Sequence, residues 1–470
     1  MTDRISRIQR PNIILVEIDA TRHDHLSCYG YHRRTSPNID RLAEEGVLYE
    51  QAISPAPWTL PSNASLFTGL YPSQHGTGIS HQQLAPHLTT IAEVLDRQGY
   101  QTVCFSSNVW VSPTFGFMRG FRQFPAIREP WSKIPLTTRR RSPLGKVFAH
   151  LMGLKGGRLS RWTNQAIDRW LSSDNDPNAP FFMFVLYGDP HLPYVFHKPF
   201  TYDYLGDRVA QARRVNQDPH RYMTGKVEMD AKDFEILAAL YDGELSYVDQ
   251  KISDLVDMLR RHGILDDTLL VITSDHGENI GDHGLMAHQY CVYDSLIHVP
   301  LIIRYPERFP AGQRITAQVQ THDLFRTMFD LLDLDPGVVA NPLQDYSLLP
   351  EAIVANPRPY TVAEYLDPNL RRIRRVFPDF DASVFDRELR GLRTDEYKFV
   401  WASDGRYELY NLRQDPQELD NRIEAEPEVA ERLRAELDNW LASINRLQME
   451  AFEPELEEAV VERLKALGYF

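Results

Sequence analysis

Trp58-Thr59-Leu60-Pro61-Ser62-Asn63-Ala64-Ser65-Leu66-Phe67-Thr68-Gly69 sets a hydroxyl at the head of a helix whose first turn carries a proline. Proline is tolerated there because the N–H it lacks would have had no intrahelical partner. The Thr59 hydroxyl then lies beside free backbone N–H groups and the positive end of the helix, a good place for a phosphoryl anion. A threonine in this place can also cap the helix without taking part in chemistry. The two roles are compatible. A free threonine hydroxyl is a weak nucleophile, and metal coordination lowers its pKa and orients it.

Working outward, Asn12–Ile18 is apolar except for Glu17 and runs into Asp19, which reads as a buried parallel strand delivering a carboxylate at its end. Phe181–Tyr187 is a second buried strand and runs into Gly188-Asp189-Pro190-His191, while Leu269–Thr273 runs into Ser274-Asp275-His276-Gly277. Gln101–Phe105 and Val299–Arg304 read as further strands. Helices are expected from Ser36-Pro37 to Glu45, over Thr89–Arg97, from about Phe234 to Arg261, and over Asp323–Leu332. Strands alternating with helices predict an α/β fold with a mostly parallel central sheet and helices on both faces. Ligands of such sheets bind beyond the carboxyl ends of the strands. Asp19, His191, Asp275 and His276 all lie just past such ends, so they are expected to converge.

After about residue 385 the pattern changes. Gly391–Trp401 and Tyr407–Leu412 read as short antiparallel strands turning at Ser403-Asp404-Gly405, with a helix over Glu428–Ile444. The expected division is a catalytic α/β domain over 1–385 and a C-terminal subdomain over 386–470. Residues 126–160 and 203–232 fit no motif and are read as insertions over the site.

The formal net charge of −14 argues against a general nucleic-acid binder. Arg139-Arg140-Arg141 and the arginines of 371–375 are read as solvated loop charges. Three cysteines, Cys28, Cys104 and Cys291, cannot form a fully paired set, which points to a reducing compartment. With no apolar run long enough for a signal or a membrane span, a cytoplasmic location is expected. A homo-oligomer is left open.

The Thr59 run resembles the active-site signature of the sulfatase family, within the alkaline phosphatase superfamily. That signature has a cysteine, any residue, Pro, Ser and an arginine, and its helix closes with Thr-Gly. Here Thr59 holds the cysteine position and Asn63 the arginine position, so the resemblance implies no formylglycine, the aldehyde that the cysteine becomes. A threonine nucleophile resembles instead the nucleotide phosphodiesterases and phosphoethanolamine transferases of the superfamily. The resemblance extends to Glu408-Leu409-Tyr410-Asn411-Leu412 before Asp415-Pro416, similar to the small C-terminal sheet of sulfatases. It implies a divalent-metal site made by Asp19, Thr59, Asp275 and His276. Ala20 stands where the family has a second aspartate. The mixed Asp/His set favours Zn²⁺ or Mn²⁺ over Ca²⁺ or Mg²⁺. His191, in His-Leu-Pro-Tyr, matches an element that contacts substrate near the leaving oxygen, and His288 has the spacing of a histidine near the phosphoryl group. The family's Lys and His after the third strand are replaced by Ser106-Ser107-Asn108-Val109, leaving Asn108, with Asn63, as a neutral donor to substrate. A second metal held by Asp189, His191 and His288 is disfavoured, since Pro190 follows Asp189 at once. His25, His75, His298 and His322 are read as structural, and His283 either as structural or as support behind the site.

The nucleophile separates phosphate from sulfate. A formylglycine hydrate expels sulfate by breaking its own C–O bond, whereas a sulfated threonine would need water to attack sulfur. A phosphothreonine can be cleared by in-line water attack at phosphorus. The expected activity is therefore hydrolysis of a small phosphate or phosphonate ester through a covalent Thr59 intermediate. Diesters are preferred, because the missing Lys and Arg remove charge that a dianion wants. The alternatives are a sulfatase without formylglycine, a phosphoryl-group transferase and an anion-binding pseudoenzyme.

Overall fold

The computed structural model describes residues 10–125, 127, 159–447 and 449–466. Its main sheet contains β1 (Asn12–Ile18), β2 (Val47–Ile53), β3 (Gln101–Ser106), β4 (Phe181–Tyr187) and β5 (Thr268–Thr273). The two-residue strands β6 (Asn279–Ile280) and β7 (Met286–Ala287) pair as a separate ribbon, and β8 (His298–Val299), β9 (Leu301–Arg304) and β10 (Gln313–Gln320) return to the main sheet. The strand order is β10-β2-β9-β5-β1-β4-β3, with β8 also on β2. Neighbours run parallel except at β8, antiparallel to β2, and β9, antiparallel to both β2 and β5.

The expected α/β architecture holds, with two differences that have plain causes. Val299–Arg304 is not one strand, because Pro300 has no N–H for a ladder and separates β8 from β9. β2 and β10 were not expected, since Glu50 and Gln51, and then Gln313, Arg314, Gln318 and Gln320, break up their apolar pattern.

Alternation along β1 feeds two cores. Ile13 and Leu15 pack with Leu60, Phe67 and Phe325, while Ile14, Val16 and Ile18 pack with Ile167, Ile252 and Leu255. The helices Thr59–Thr68, Ile91–Arg97 and Asp323–Leu332 thus cover one face, and Pro37–Glu45, Leu159–Arg169 and Ala231–Arg261 the other. Each such fully buried side chain contributes roughly 1.5–3 kcal/mol. The long helix starts at Ala231, three residues before the expected Phe234, because Asp230 accepts from the N–H groups of Lys232 and Asp233. Ser36 precedes its helix as expected but donates its hydroxyl to Asp40 Oδ1 rather than capping backbone. Gly69 ends the Thr59 helix at φ +72°, and a Cβ there would lie 2.9 Å from Phe325.

The small sheet has the order β11 (Thr361–Tyr365), β12 (Leu389–Arg393), β13 (Tyr397–Ala402) and β14 (Glu408–Asn411), all antiparallel. Helix Pro427–Ser443 packs on it through Leu433, Leu437 and Trp440. Its first strand, Thr361–Tyr365, precedes residue 386, so the sheet includes a strand from before the division drawn from the sequence pattern. The chain then returns to the main domain: Leu447 N–H bonds the Ser73 carbonyl at 2.9 Å, and Phe452 exchanges backbone bonds with Ser80 and Gln82. In helix Glu458–Ala466, Leu464 is buried and the Arg463 guanidinium donates to the Ser107 carbonyl.

Of the two segments expected as insertions, 203–232 forms short helices whose Leu205 and Ala212 pack with Leu237 and Leu240 of the long helix. Most of 126–160, including Arg139-Arg140-Arg141, lies outside the described residues. Arg371, Arg372 and Arg374 pair with Glu453, Asp218 and Asp386. Among the described residues no helix is long and apolar enough to cross a membrane.

Candidate metal and ester site

Parallel strands β1 and β5 carry Asp19 and Asp275 to one edge of the sheet, each two residues beyond the register pair Glu17–Thr273. The chain turns sharply after Asp19. Ala20 takes φ +54°, its N–H donates to Asp275 Oδ1, and its carbonyl accepts from the Tyr241 hydroxyl at 2.7 Å. A non-glycine residue in this region costs of order 1–3 kcal/mol, so surrounding contacts must hold it. The Asp275 carbonyl accepts from the hydroxyls of Ser54 and Ser62, which ties β5 to the first turn of the Thr59 helix. Thr59 is the first helical residue, with Trp58 extended before it, so its hydroxyl does not serve as the N-cap.

His276 sits at the centre. Its Nδ1 bonds the Gly277 carbonyl at 2.7 Å. A carbonyl only accepts, so Nδ1 carries the proton and Nε2 of the neutral ring presents a lone pair. Burial pushes the ring's pKa down to about 3, with His288 and His191 adding to the fall against the pull of Asp275. Around Nε2 lie Thr59 Oγ1 at 3.2 Å, Asp275 Oδ2 at 3.4 Å and Asp19 Oδ1 at 3.6 Å.

Each carboxylate has one oxygen anchored and one offered. Asp19 Oδ2 accepts from Asn108 Nδ2 at 2.7 Å, and Asp275 Oδ1 from the Ala20 and His276 N–H groups. Asp19 Oδ1 and Asp275 Oδ2 have no hydrogen-bond donor, and both residues are about 1% exposed. Buried acceptors facing a lone pair without a donor between them are costly. A divalent cation resolves the conflict, and a donor set of two carboxylates, an imidazole and a hydroxyl fits one. When bound, it would act as a Lewis acid on the Thr59 oxygen and on an ester oxygen.

Next to the cluster, His288 stacks on His276 with ring centroids 4.3 Å apart, and His191 meets His288 edge-on at 4.7 Å. Both rings are buried, which lowers their pKa values to about 3 and about 4 respectively. Glu278 holds His288 through an Oε1–Nδ1 contact of 3.0 Å, and burial pushes its own pKa up to about 7. Sequence reasoning gave Glu278 no role, although it closes the Ser-Asp-His-Gly-Glu run. Arg22 lies alongside, with its guanidinium engaged by Asp24, Asp282 and the Glu278 carbonyl.

The two asparagines expected on the substrate side have protein partners. Asn63 Nδ2 donates to Glu17 Oε1 at 2.9 Å and to the Thr59 carbonyl at 3.1 Å. Asn108 donates to Asp19 and accepts from the Trp110 N–H. Glu17, fully buried in β1, was seen in the sequence only as the break in an apolar strand and given no role; the signal was that lone carboxylate two residues before Asp19.

Asp189 is grouped with residues other than His191. It accepts from the Ser160 hydroxyl at 2.5 Å and joins His197 and Glu244 in a second buried group. The histidines read as structural, and His283, are engaged elsewhere: His25, His75 and His298 with Asp242, Ser65 and the Glu50 carbonyl, His322 on Tyr71, and His283 on Tyr293. A cleft of about 890 Å³ is lined by Trp58, Pro61 and Arg390 among others, and none of the metal-cluster residues lines it.

Comparison with known proteins accords with this geometry. The profile of the family described as Sulfatase matches residues 11–334, and that of the C-terminal region of N-sulphoglucosamine sulphohydrolase matches 281–446. An uncharacterized sulfatase, YidJ, of Escherichia coli is 26% identical over 440 residues, covering 89% of this chain and 84% of that protein. The choline-sulfatase of Rhizobium meliloti is 24% identical over 492 residues, covering 97% and 90%. The crystal structure of the phosphonate monoester hydrolase of Agrobacterium radiobacter superposes with a TM-score of 0.70 at 23% identity, covering 92% of this chain and 96% of that one. The family match spans well over half of the 470 residues, and the chain belongs to the sulfatase family, ester hydrolases of the alkaline phosphatase superfamily.

Proposed function

We propose that this chain is a divalent-metal-dependent hydrolase of phosphonate or phosphate esters, with diesters favoured among the phosphates and Thr59 as nucleophile. The observation that carries the reading is a threonine, not a cysteine, at the helix start, with Oγ1 3.2 Å from His276 Nε2 inside the donor cluster. Thr59 attacks phosphorus and the ester oxygen leaves; water then attacks the phosphorylated threonine and returns its hydroxyl. His288, kept neutral by burial, presents an Nε2–H to a phosphoryl oxygen when the Glu278 carboxyl keeps its proton and donates it to Nδ1. His191, whose Nδ1–H goes to the Leu192 carbonyl, can only accept at Nε2 and so suits taking a proton from the attacking water. A neutral donor suits a monoanionic ester better than a dianion, and Arg22 is already engaged by Asp24 and Asp282. Asn108 holds Asp19 in place from behind.

A second reading, hydrolysis of sulfate esters without formylglycine, is favoured by the family itself and by relatives such as the choline-sulfatase. The two separate in one experiment. The protein, loaded with Mn²⁺ or Zn²⁺, is assayed on aryl phosphonate monoesters, phosphate diesters, phosphate monoesters and sulfate esters, with intact-mass analysis of quenched reactions. The phosphorus proposal expects phosphonate or diester turnover to lead, residue 59 to be unconverted threonine, and a trapped mass gain to map to it. A sulfate ester turned over at least about tenfold faster than every phosphorus ester would overturn it.

A further inference from the structure

His288 sits in a stretch of unusual backbone. Ala287 takes φ +67° and Tyr290 φ +72°, so non-glycine residues in the left-handed region stand just before it and two positions after it. That region is uncommon for any residue with a Cβ and an outlier for a side chain as bulky as tyrosine. Such a conformation persists only where surrounding contacts over-determine it. Here the strain falls on the short connection between β7 and the helix Asp294–Ile297.

The contacts that hold this connection come from the C-terminal part of the chain. The Tyr290 hydroxyl donates to the Asn369 carbonyl at 2.7 Å, and its ring stacks on Phe385 with centroids 4.5 Å apart and planes 25° from parallel. Tyr365, at the end of β11, meets the same ring edge-on at 6.2 Å. Further along, a Cβ on Gly391 of β12 would lie 3.3 Å from Val292, and the Tyr293 hydroxyl donates to Glu408 of β14 at 2.8 Å. On the side of the ester site, Ala287 pairs with Asn279 in the β6–β7 ribbon and His288 stacks on His276 at 4.3 Å. One end of the connection is thus fixed to the small sheet and its flanking loops, and the other carries the imidazole.

We propose that Tyr290 is a positioning residue for His288: held by Asn369 and Phe385, it keeps the strained connection in the one shape that stacks His288 on His276. The small C-terminal sheet serves the ester site through this connection. The proposal rests on the role given to His288 above and deepens it, since metal binding by Asp19, Thr59, Asp275 and His276 does not depend on Tyr290.

The metal-loaded, full-length protein is assayed on the ester that it turns over fastest. Tyr290→Phe keeps the ring and removes the hydroxyl anchor. It should lower kcat about 3–10-fold, the worth of one hydrogen bond, with KM and metal affinity within about twofold of the parent. Adding Ala287→Gly, which lets residue 287 keep its left-handed φ without strain, should restore most of the lost rate. A tyrosine that only fills space gives the opposite result, because a glycine then adds freedom and lowers the rate further. Unchanged kcat in Tyr290→Phe, or no recovery in the double variant, would overturn the proposal. Should Tyr290→Phe not fold, Phe385→Leu keeps the hydroxyl bond, removes the stack and carries the same expectations. A second measurement is independent of turnover: in protein with ¹³C-labelled histidine, the His288 ring resonance, assigned through His288→Gln, should move in Tyr290→Phe and return in the double variant. An unmoved resonance would overturn the positioning role even in a protein that hydrolyses none of the esters, a result that would separately overturn the proposed function.

Discussion

Two buried groups of two acids and a histidine lie past neighbouring parallel strands, Asp19–Asp275–His276 beyond β1 and β5, and Asp189–His197–Glu244 beyond β4. In the second, the atoms satisfy one another. His197 Nε2 contacts Glu244 Oε2 at 2.7 Å, Val195 N–H donates to Glu244 Oε1, and Ser160 donates to Asp189. A contact of 2.7 Å has a proton in it and little room for an ion. In the first, the separations from His276 Nε2 to oxygen are 3.2–3.6 Å, and two carboxylate oxygens lack donors. Residue types are therefore a poor guide to a metal centre. Lone pairs that nothing in the protein uses are a better one.

The largest effect is expected at Thr59. Thr59→Ala should lower kcat on the best phosphorus ester by roughly three or more orders of magnitude, since covalent catalysis needs that oxygen, with circular dichroism unchanged. Turnover within tenfold of the parent would mean that water attacks directly.

Paired histidine variants test the contrast itself. His276→Ala should weaken metal affinity by at least the roughly 10–100-fold typical of changes one layer further out. His197→Ala should leave metal content unchanged yet cost about 3–5 kcal/mol of stability, because it strands Glu244 in the interior. Metal analysis and urea unfolding read the two outcomes, and loss of metal in His197→Ala would dissolve the distinction.

The smallest effect is a slope. Burial, and then Glu244, push the Asp189 pKa up to about 6, against the pull of His197 and Ser160. The folded state therefore holds this proton more tightly than the unfolded chain, where the group titrates near about 3.9. Its contribution is whole below about pH 4, falls as pH rises toward about 6, and is flat above, a loss of about 3 kcal/mol. Asp189→Asn keeps an acceptor for Ser160 and should flatten the stability profile across that window. Superimposable profiles from unfolding at a series of pH values would refute the assignment.

Much of this was legible before any coordinates. Asp19, Asp275 and His276 converge because parallel strands deliver their carboxyl ends to one edge, and Thr59 joins them because its helix covers the adjacent face. Phe181–Tyr187 and Asp323–Leu332 have the bounds that their apolar patterns predict. What stayed hidden depends on how elements rotate against one another. The Asn63–Glu17 bond needs the helix set on the sheet at one particular angle, and the Glu278–His288 contact needs the β6–β7 ribbon to fold back. Asn63 and Asn108 had been expected to face substrate, and their amides instead meet carboxylates whose burial no local pattern announces.

The contact of Arg463 with the Ser107 carbonyl spans 356 positions of chain and ends one residue from Asn108, the group that holds Asp19. During synthesis, the main sheet has all its strands once residue 320 has emerged, yet one neighbour of the metal cluster's support arrives some 140 residues later. Contacts so distant in sequence form late. A nascent or clipped chain can therefore be compact, protease-resistant in its core and still lack the finished surroundings of Asp19, so solubility of a shortened product is no proxy for competence.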